Sequence, residues 1–167
     1  AVATPQIRNM ATLAGNLCQE VRCWYYRYPH VIGGRLLCLR KGSGPCLAVS
    51  GDNRYHAILE GKGCFAVCPS DAAVALTALH ATIRIAGARK NRIVPVKDFF
   101  TTLGNLLQPG EIVTEIQIPK PLDKAKQTFL KLTLRKPVDF AIVSVASVIS
   151  LEGKICRDAS IALGAVA

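Results

Sequence analysis

The sequence predicts an α+β fold, and three observations carry that prediction. Half of the 167 residues are apolar and the mean hydropathy is +0.29, which is ample for a packed core. From residue 69 onward the chain has the pattern of one short helix followed by alternating strands. Residues 18–68 show neither a helical nor a strand period. We therefore expect two subdomains, 1–121 and 122–167, with an irregular cysteine-rich insertion at 18–68 in the first.

One short helix is predicted near the middle of the chain. Pro69-Ser70-Asp71 supplies an N-cap, and the run AAVALTALHA that follows is apolar enough for a buried helix. The next two segments, ATIRIAG and NRIVPV, alternate in the manner of strands, with Gly87 in their connection. A helical turn is expected to begin at Val96.

A further strand, EIVTEIQIP, follows a Pro-Gly turn. Ile112, Ile116 and Ile118 recur at even spacing, which predicts that they form the buried face of a half-exposed strand. Prolines and charged residues then interrupt the pattern, and the boundary between the subdomains is placed there.

The remaining residues predict an antiparallel sheet of three strands. TFLKLTLR places Phe129 and Lys131 on one face and its leucines on the other. FAIVSVASVISL is a long β-branched run, Glu152-Gly153-Lys154 is a turn, and ICRDASIALGAV returns beside it.

The charge of the chain is strongly positive but evenly spread. The formal net charge is +10, of which residues 1–17 carry +1, residues 18–68 carry +4 and residues 69–167 carry +5. No basic tract is concentrated enough for a nucleic-acid arm, whereas a diffuse positive field suits an acidic protein partner or an anionic cofactor. No apolar run approaches the roughly 20 residues of a membrane span. The first residues lack the layout of a secretory signal, so we expect a cytoplasmic protein.

Cysteine is concentrated in the insertion. Six of the seven cysteines lie between residues 18 and 68, together with the one Trp and all four Tyr. An odd number without a secretory signal favours a metal or iron–sulfur site over disulfides. No CxxC pair is present, so the usual zinc patterns are not matched, whereas widely spaced thiolates are compatible with an iron–sulfur cluster. The other interpretation is a set of buried, inert cysteines, which we favour for Cys156.

An irregular segment of this length needs a source of order other than apolar packing, and a ligated cluster would supply one. Glycines beside the cysteines would let the backbone wrap closely around a cofactor; they are Gly33, Gly34, Gly42, Gly44, Gly61 and Gly63. The histidines His30, His56 and His80 show no spacing that suggests ligation and are given no role.

Several separated motifs resemble one known family. They are TPQIRNMATLAGNLCQ, CWYYR, DNRYHAI, CPSDAAVALTAL, LQPGEIVTEIQIP and FLKLTLRKPVDFAIVSVA, in that order. Together they resemble the FAD-binding (medium) subunit of the molybdenum hydroxylases of the xanthine dehydrogenase and CO dehydrogenase type. Within that family the chain is similar to the branch with a cysteine-bearing insertion, as in 4-hydroxybenzoyl-CoA reductase. The resemblance implies the middle and C-terminal parts of a PCMH-type FAD-binding domain.

The resemblance also implies where the nucleotide half of FAD would lie. Thr12, Gly15 and Asn16 match the family's small-residue turn beside the FAD diphosphate, where main-chain N–H groups can approach an anion. Ser70 and Asp71 match the pair along the sugar-alcohol chain of the flavin.

Residues near the flavin ring are implied in the same way. Ile112 and Val113 match the strand that passes near the isoalloxazine. Lys131 matches a lysine close to the flavin, where it could stabilise the negative charge of the reduced ring. Arg135 and Asp139 recur in the family motif and are interpreted as structural.

In the cysteine-bearing branch the insertion holds a [4Fe–4S] cluster on four thiolates. By their neighbours, the matching residues here are Cys23, Cys38, Cys46 and Cys64. Cys18 and Cys68 flank this set, and either could replace one member.

The function implied is that of an FAD and iron–sulfur electron-transfer subunit in an oxidoreductase complex. A molybdenum-cofactor large subunit would perform the substrate chemistry, a [2Fe–2S] small subunit would relay electrons, and a ferredoxin-like carrier could meet the extra cluster. No catalytic residue is predicted, since no side chain is a candidate general base or nucleophile. The family's N-terminal FAD subdomain and C-terminal helices are not matched, so we expect a fragment or another chain that supplies the missing half. The alternative is a structural or zinc-binding paralogue without flavin.

Overall fold

A computed structural model describes residues 2–29, 31, 36–136 and 138–167. Within these ranges it contains short helices and antiparallel sheets, which confirms the α+β class predicted from the sequence. None of the described helices has the length and apolar character needed to span a bilayer. Gly33 and Gly34, two of the glycines expected to wrap a cofactor, lie outside the described residues.

The regular elements are short in the first half of the chain and longer in the second. The α-helices with described bounds are α1 (Pro5–Met10), α2 (Leu13–Leu17), α3 (Trp24–Arg27) and α4 (Asp71–Ala78). Single 3₁₀ turns span Leu39–Lys41, Leu47–Val49 and Val96–Asp98. The strands are β1 (Thr82–Ala86), β2 (Asn91–Pro95), β3 (Phe100–Thr101), β4 (Gly104–Asn105), β5 (Ile112–Gln117), β6 (Lys126–Leu132), β7 (Val143–Glu152) and β8 (Ile155–Gly164).

The first sheet has the strand order β2-β1-β5, and both of its pairings are antiparallel. The central strand β1 contributes Ile83 and Ile85, whose side chains are fully buried, as the alternation of the sequence predicted. Strands β3 and β4 form a separate two-stranded ribbon.

A β-bulge in the first sheet changes which residues of β5 face the core. Ile83 pairs with Ile116 and Ile85 pairs with Val113, so one extra residue of β5 lies between the two pairs. Because a bulge interrupts the two-residue period, the side chains before and after it no longer share one face. The predicted buried face was therefore wrong for Ile112, which is 62% exposed. It was also wrong for Ile118, which lies beyond the last residue of β5 and is 52% exposed.

The second sheet has the strand order β6-β7-β8, again antiparallel. Phe129 packs against the buried residues between β6–β8 and the helix at Asp71–Ala78, while Leu130 and Leu132 are exposed, in agreement with the predicted alternation. Gly153, with φ +60°, allows the tight reversal between β7 and β8. The subdomain boundary predicted at 121/122 falls between β5 and β6 and stays a prediction.

Helix α4 begins at the predicted cap and ends earlier than predicted. Ser70 is the N-cap, and its Oγ accepts a hydrogen bond from the N–H of Ala73 at 3.0 Å. After Ala78 the backbone turns left-handed at His80, with φ +54°, and the N–H of Ala81 closes the end on the carbonyl of Leu76 at 2.9 Å. The helix therefore stops short of residue 81.

Both sheets pack on α4, so the helix is buried on nearly all sides. One group of buried residues joins α2, α4, the first sheet and the 3₁₀ turn after it: Leu17, Ala72, Ala73, Leu76, Ala81, Ile83, Ile85, Val96 and Phe99. A second group joins the other side of α4 to the second sheet: Val74, Ala78 and Ala146. The small residues of α4 let both sheets approach it closely.

Residues 18–68 are organised differently. Their described part holds α3, two 3₁₀ turns and two isolated β-bridges, Cys38–Ser43 and His56–Ala66. Side-chain and backbone hydrogen bonds attach it to the rest of the chain. One runs from Arg40 Nη2 to the carbonyl of Thr102 at 2.9 Å, and the N–H of Ile58 meets the carbonyl of Val166 at 3.0 Å.

Candidate functional site

The turn from Thr12 to Asn16 is exposed and closed by its own hydrogen bonds. Thr12 caps α2, and its Oγ1 accepts from the N–H of Gly15 at 3.0 Å. The N–H of Asn16 donates to the carbonyl of Thr12 at 3.0 Å. The backbone N–H groups of Gly15 and Asn16 are thus used inside the turn, so an anion approaching it would have to compete for them.

Asn16 links this turn to the start of α4. Ser70 Oγ donates to Asn16 Oδ1 at 2.7 Å, and Ser70 is 2% exposed. The hydroxyl therefore serves two purposes, since the same oxygen caps α4. Two of the predicted FAD-binding positions, separated by 54 residues in the sequence, are in direct contact.

The next residue of α4, Asp71, forms a buried ion pair with Lys131 of β6. The Nζ–Oδ2 distance is 2.6 Å, and the two side chains are 10% and 8% exposed. Lys131 pairs across the sheet with Ser144 of β7, which is also buried. Lys131, which is predicted to offset flavin charge, is thus paired with the carboxylate of Asp71, another predicted FAD-binding residue.

Strand β5 presents its two predicted residues to opposite sides. Ile112 is exposed, whereas Val113 packs against the core of the first sheet. Since consecutive residues of a strand face opposite sides, only Ile112 of the two offers an apolar side chain to a molecule on the surface.

A wide cavity of about 760 Å³ lies beside the start of α4. Its lining includes Ser70 and Asp71, Cys23 and His56, and Arg135 and Asp139. Arg135 and Asp139 form an ion pair of 2.7 Å, and their structural role stays a prediction. The cavity is largely apolar in lining character, with Val74 and Phe140 among its walls.

A second, small cavity is lined by all four cysteines predicted as cluster ligands: Cys23, Cys38, Cys46 and Cys64. Cys23 also borders the wide cavity, so it lies between the two spaces. With about 10 Å³ of free volume the small cavity has room for no more than one water. A larger group bound by these thiols would require their side chains to move apart.

Three of these four cysteines immediately precede a short helical turn. Cys23 precedes α3, Cys38 precedes Leu39–Lys41, and Cys46 precedes Leu47–Val49. Burial raises the pKa of the Cys23 thiol, the N–H groups of the following turn oppose that rise, and the nearby thiols of Cys38 and Cys46 add to it. Three of the sulfur atoms therefore lie within electrostatic reach of one another.

All seven cysteines carry free thiols. Cys18 and Cys68 lie outside the small cavity; Cys68 borders the wide one instead, and burial raises the pKa of its thiol. The expectation that Cys156 is buried was wrong, because it lies exposed on β8, close to the hairpin turn and away from the core.

The chain matches a known protein family over residues 1–121, and that family is described as the FAD binding domain in molybdopterin dehydrogenase. The chain belongs to this family. The match supports the recognition of an FAD-binding subunit of the molybdenum hydroxylases, and it leaves the cluster-bearing branch as a prediction.

Curated relatives of this FAD-binding family are subunits of oxidoreductases by name. The chain is 37% identical over 175 residues to the aldehyde oxidoreductase FAD-binding subunit PaoB of Escherichia coli K12, covering 100% of this chain and 52% of that protein. It is 42% identical over 101 residues to the glyceraldehyde dehydrogenase medium chain of Sulfolobus acidocaldarius, covering 58% of this chain and 34% of that protein. The chain spans about half or less of the length of these relatives.

Solved structures show the same fold. The Cu,Mo-CO dehydrogenase in its cyanide-inactivated form aligns with a TM-score of 0.64 at 24% identity, over 98% of this chain and 41% of that chain. Quinoline 2-oxidoreductase from Pseudomonas putida 86 aligns with a TM-score of 0.53 at 29% identity, over 69% of this chain and 36% of that chain.

For this member of the FAD-binding family, the geometry fits a flavin in part. Asn16, Ser70, Asp71 and Lys131 form one connected set through the contacts given above, beside a cavity large enough for a cofactor ring system. The turn at Thr12 and the exposed side of Ile112 lie outside that cavity.

The small cavity combines four thiols with one buried cationic side chain. Among the residues that the structure describes, no group of three or more His, Cys, Asp or Glu side chains is arranged to hold one ion. Arg40 also lines this cavity; its side chain is 6% exposed, and its Nε is buried without a hydrogen-bond partner in the described ranges. Its charged neighbour Glu20 lies 3.8 Å away and is 55% exposed. Arg40 is thus a buried cation beside the four thiols, with a partly exposed carboxylate as its charged neighbour.

One residue of this site was missed in the sequence. The Nε2 atom of His56 lies 3.3 Å from the Sγ atom of Cys23, although the two residues are 33 positions apart. Local spacing gives no indication of this contact. The position of His56 inside the aromatic motif DNRYHAI is the only feature that could have drawn attention to it.

Proposed function

We propose that this chain is the flavin and iron–sulfur electron-transfer part of a molybdenum hydroxylase-type oxidoreductase, with a [4Fe–4S] cluster on Cys23, Cys38, Cys46 and Cys64. The observation that carries the proposal is that these four cysteines line one cavity, next to the buried cation of Arg40. Cys23 also borders the wide cavity where Ser70 and Asp71 lie, which supports two redox groups near each other.

On the flavin side, the chain's residues would bind and orient. Asn16 and Ser70 fix the turn against α4, and Asp71 with Lys131 supplies a buried charge pair at the other side of the site. Flavin accepts or donates electrons in pairs or singly, so it can join a two-electron partner to one-electron carriers. Because Lys131 is held by Asp71, it can offset charge on a ligand without swinging away into solvent.

On the cluster side, the four thiols would ligate iron as thiolates. Binding a cation lowers thiol pKa values, which overcomes the increase that burial and mutual repulsion impose on Cys23. A cluster of this type carries one electron at a time. Arg40 would offset part of its negative charge.

The partners are part of the same proposal. Electrons would pass to or from a [2Fe–2S] small subunit beside a molybdenum-cofactor large subunit, and protein outside these residues would complete the FAD site. A net charge of +10 suits an acidic, ferredoxin-like carrier as the external one-electron partner. Free thiols and a cluster suit a reducing compartment, so we place the complex in the cytoplasm.

The test is elemental and flavin analysis of the anaerobically purified complex with its accompanying subunits. About four iron and four sulfide beyond the [2Fe–2S] complement, together with about one FAD, are expected. Cys23→Ser and Cys46→Ser should lose the extra iron, whereas Cys156→Ser, which alters an exposed thiol remote from the cavity, should retain it. An intact complex with zinc in place of iron, or with neither iron nor flavin, would overturn the proposal in favour of a structural paralogue.

A further inference from the structure

His56 is the buried polar side chain of the insertion that the proposed function leaves without a task. It is 5% exposed, and its Nε2 atom lies 3.3 Å from the Sγ atom of Cys23. It borders the wide cavity but does not line the small one, so it contacts Cys23 from the side facing the flavin residues.

The ring of His56 is held in a fixed orientation. Its backbone N–H donates to the carbonyl of Asn53 at 2.9 Å, and its strand bridge to Ala66 fixes the chain on the other side. Trp24 meets the ring edge-on at a centroid distance of 5.5 Å, and Tyr25 lies at 6.1 Å. An imidazole confined in this way keeps Nε2 directed at the sulfur.

The chemistry of the contact depends on which atom carries the proton. A thiolate that ligates iron has no proton to give, so it only accepts hydrogen bonds. A bare nitrogen lone pair facing it at this distance would be repelled, whereas an Nε2–H would be attracted. The His56 tautomer with its hydrogen on Nε2 therefore makes this contact favourable. Its Nδ1 atom is buried without a hydrogen-bond partner in the described part of the chain.

We propose that His56 is a positioning residue that donates an Nε2–H hydrogen bond to the Cys23 thiolate and thereby raises the reduction potential of the cluster. The inference rests on the proposed function, since it requires iron on Cys23. Reduction adds one electron, taken from the external donor, to a group that is already anionic. A hydrogen bond to a ligand sulfur stabilises this added charge more than it stabilises the oxidised state.

The test compares two substitutions in the purified complex. His56→Leu removes the donor, and His56→Gln keeps an N–H on a side chain of similar reach. His80→Gln is the matched control, because His80 follows α4 and lines neither cavity. The readouts are iron per chain, the midpoint potential from a redox titration followed by electron paramagnetic resonance, and the exchangeable-proton coupling of the reduced cluster after transfer to heavy water.

The expected result is full iron in all three variants and a lower potential in His56→Leu. At the midpoint potential of the wild type, the ratio of reduced to oxidised cluster in His56→Leu should be lower on the order of tenfold, as expected for the loss of one hydrogen bond to a charged group. His56→Gln should recover part of the ratio, and one exchangeable-proton coupling should disappear in His56→Leu. His80→Gln should match the wild type.

Three results would overturn the inference and leave the proposed function standing. An unchanged potential in His56→Leu with full iron would remove the tuning role and leave the cluster itself intact. Loss of iron in both His56 variants would make His56 a ligand. If His56→Leu does not fold, a wild-type cluster without an exchangeable-proton coupling decides against the hydrogen bond. A wild-type complex without the extra iron would instead refute the proposed function, and this inference with it.

Discussion

The sheets around α4 and the insertion at 18–68 are stabilised in contrasting ways. Around α4, buried residues are apolar or paired: Ile83, Ile85 and Phe99 are 0% exposed, and the Asp71–Lys131 pair is closed. In the described part of the insertion, Arg40 Nε, Ser43 Oγ and His56 Nδ1 are buried without a hydrogen-bond partner, whereas the corresponding atom of the first sheet, Arg84 Nε, lies 3.0 Å from the Glu115 carboxylate. Buried polar groups in folded proteins nearly always have partners, so the first region is close to complete by itself, whereas the insertion leaves buried polar atoms to water or a ligand.

Around α4, the largest loss of stability is expected when the buried Asp71–Lys131 ion pair is broken. Lys131→Met leaves the Asp71 carboxylate buried without its cation, which should lower the free energy of unfolding by about 3 kcal/mol or more. Chemical denaturation measures this. In the double variant Asp71→Leu/Lys131→Met both charges are absent, so its loss should be smaller than that of Lys131→Met. If the double variant were the less stable of the two, burial of a lone charge would not be the cause.

Packing of β8 on α4 gives the next effect. A Cβ atom on Gly164 would lie 2.5 Å from Ser144 Oγ and inside van der Waals contact of Val74, so Gly164→Ala should cost about 1–3 kcal/mol. Gly153→Asn is the matched control, because that turn has φ +60° and open space around it, and Asn tolerates this conformation. Equal melting temperatures for Gly164→Ala and the wild type would contradict the close packing.

The order of the insertion should depend on the iron of the proposed cluster more than on apolar packing. Removal of iron by a chelator should accelerate proteolytic cleavage within residues 18–68 on the order of tenfold, because a ligand that binds only the ordered state stabilises it. Cleavage within residues 82–117 should not change, since the first sheet does not depend on the cluster. Mass spectrometry of the fragments locates the cuts. Cleavage that increases equally in both regions would remove the distinction between them.

The smallest effect tests the charge beside the thiols. Arg40→Gln should reduce the iron retained after dilution by a few-fold, because the cluster loses a buried counter-charge. Arg135→Gln changes a comparable charge whose side chain is 78% exposed, and it should retain iron as the wild type does. Iron per chain after gel filtration is the measurement. Equal iron retention in both variants would leave Arg40 only the structural role of its hydrogen bond to Thr102.

The same contrast explains what could be predicted from the sequence. The helix and the strands follow from alternation and capping, which are local properties, and the structure confirms the fold class. The buried face of β5 was missed because the bulge depends on its pairing with β1. The contact of His56 with Cys23 joins residues 33 positions apart, so no local pattern could indicate it. The FAD and cluster residues came from family resemblance, and their roles stay predictions.

The ion pair between α4 and β6 affects how this part of the protein would respond to added charge. Ser70 ties α4 to the surface turn, and Asp71 ties the same helix to the second sheet, so one helix fixes both contacts. Surroundings that are already in place need not rearrange when charge arrives. Negative charge placed beside these contacts would therefore require little rearrangement of the side chains that form them.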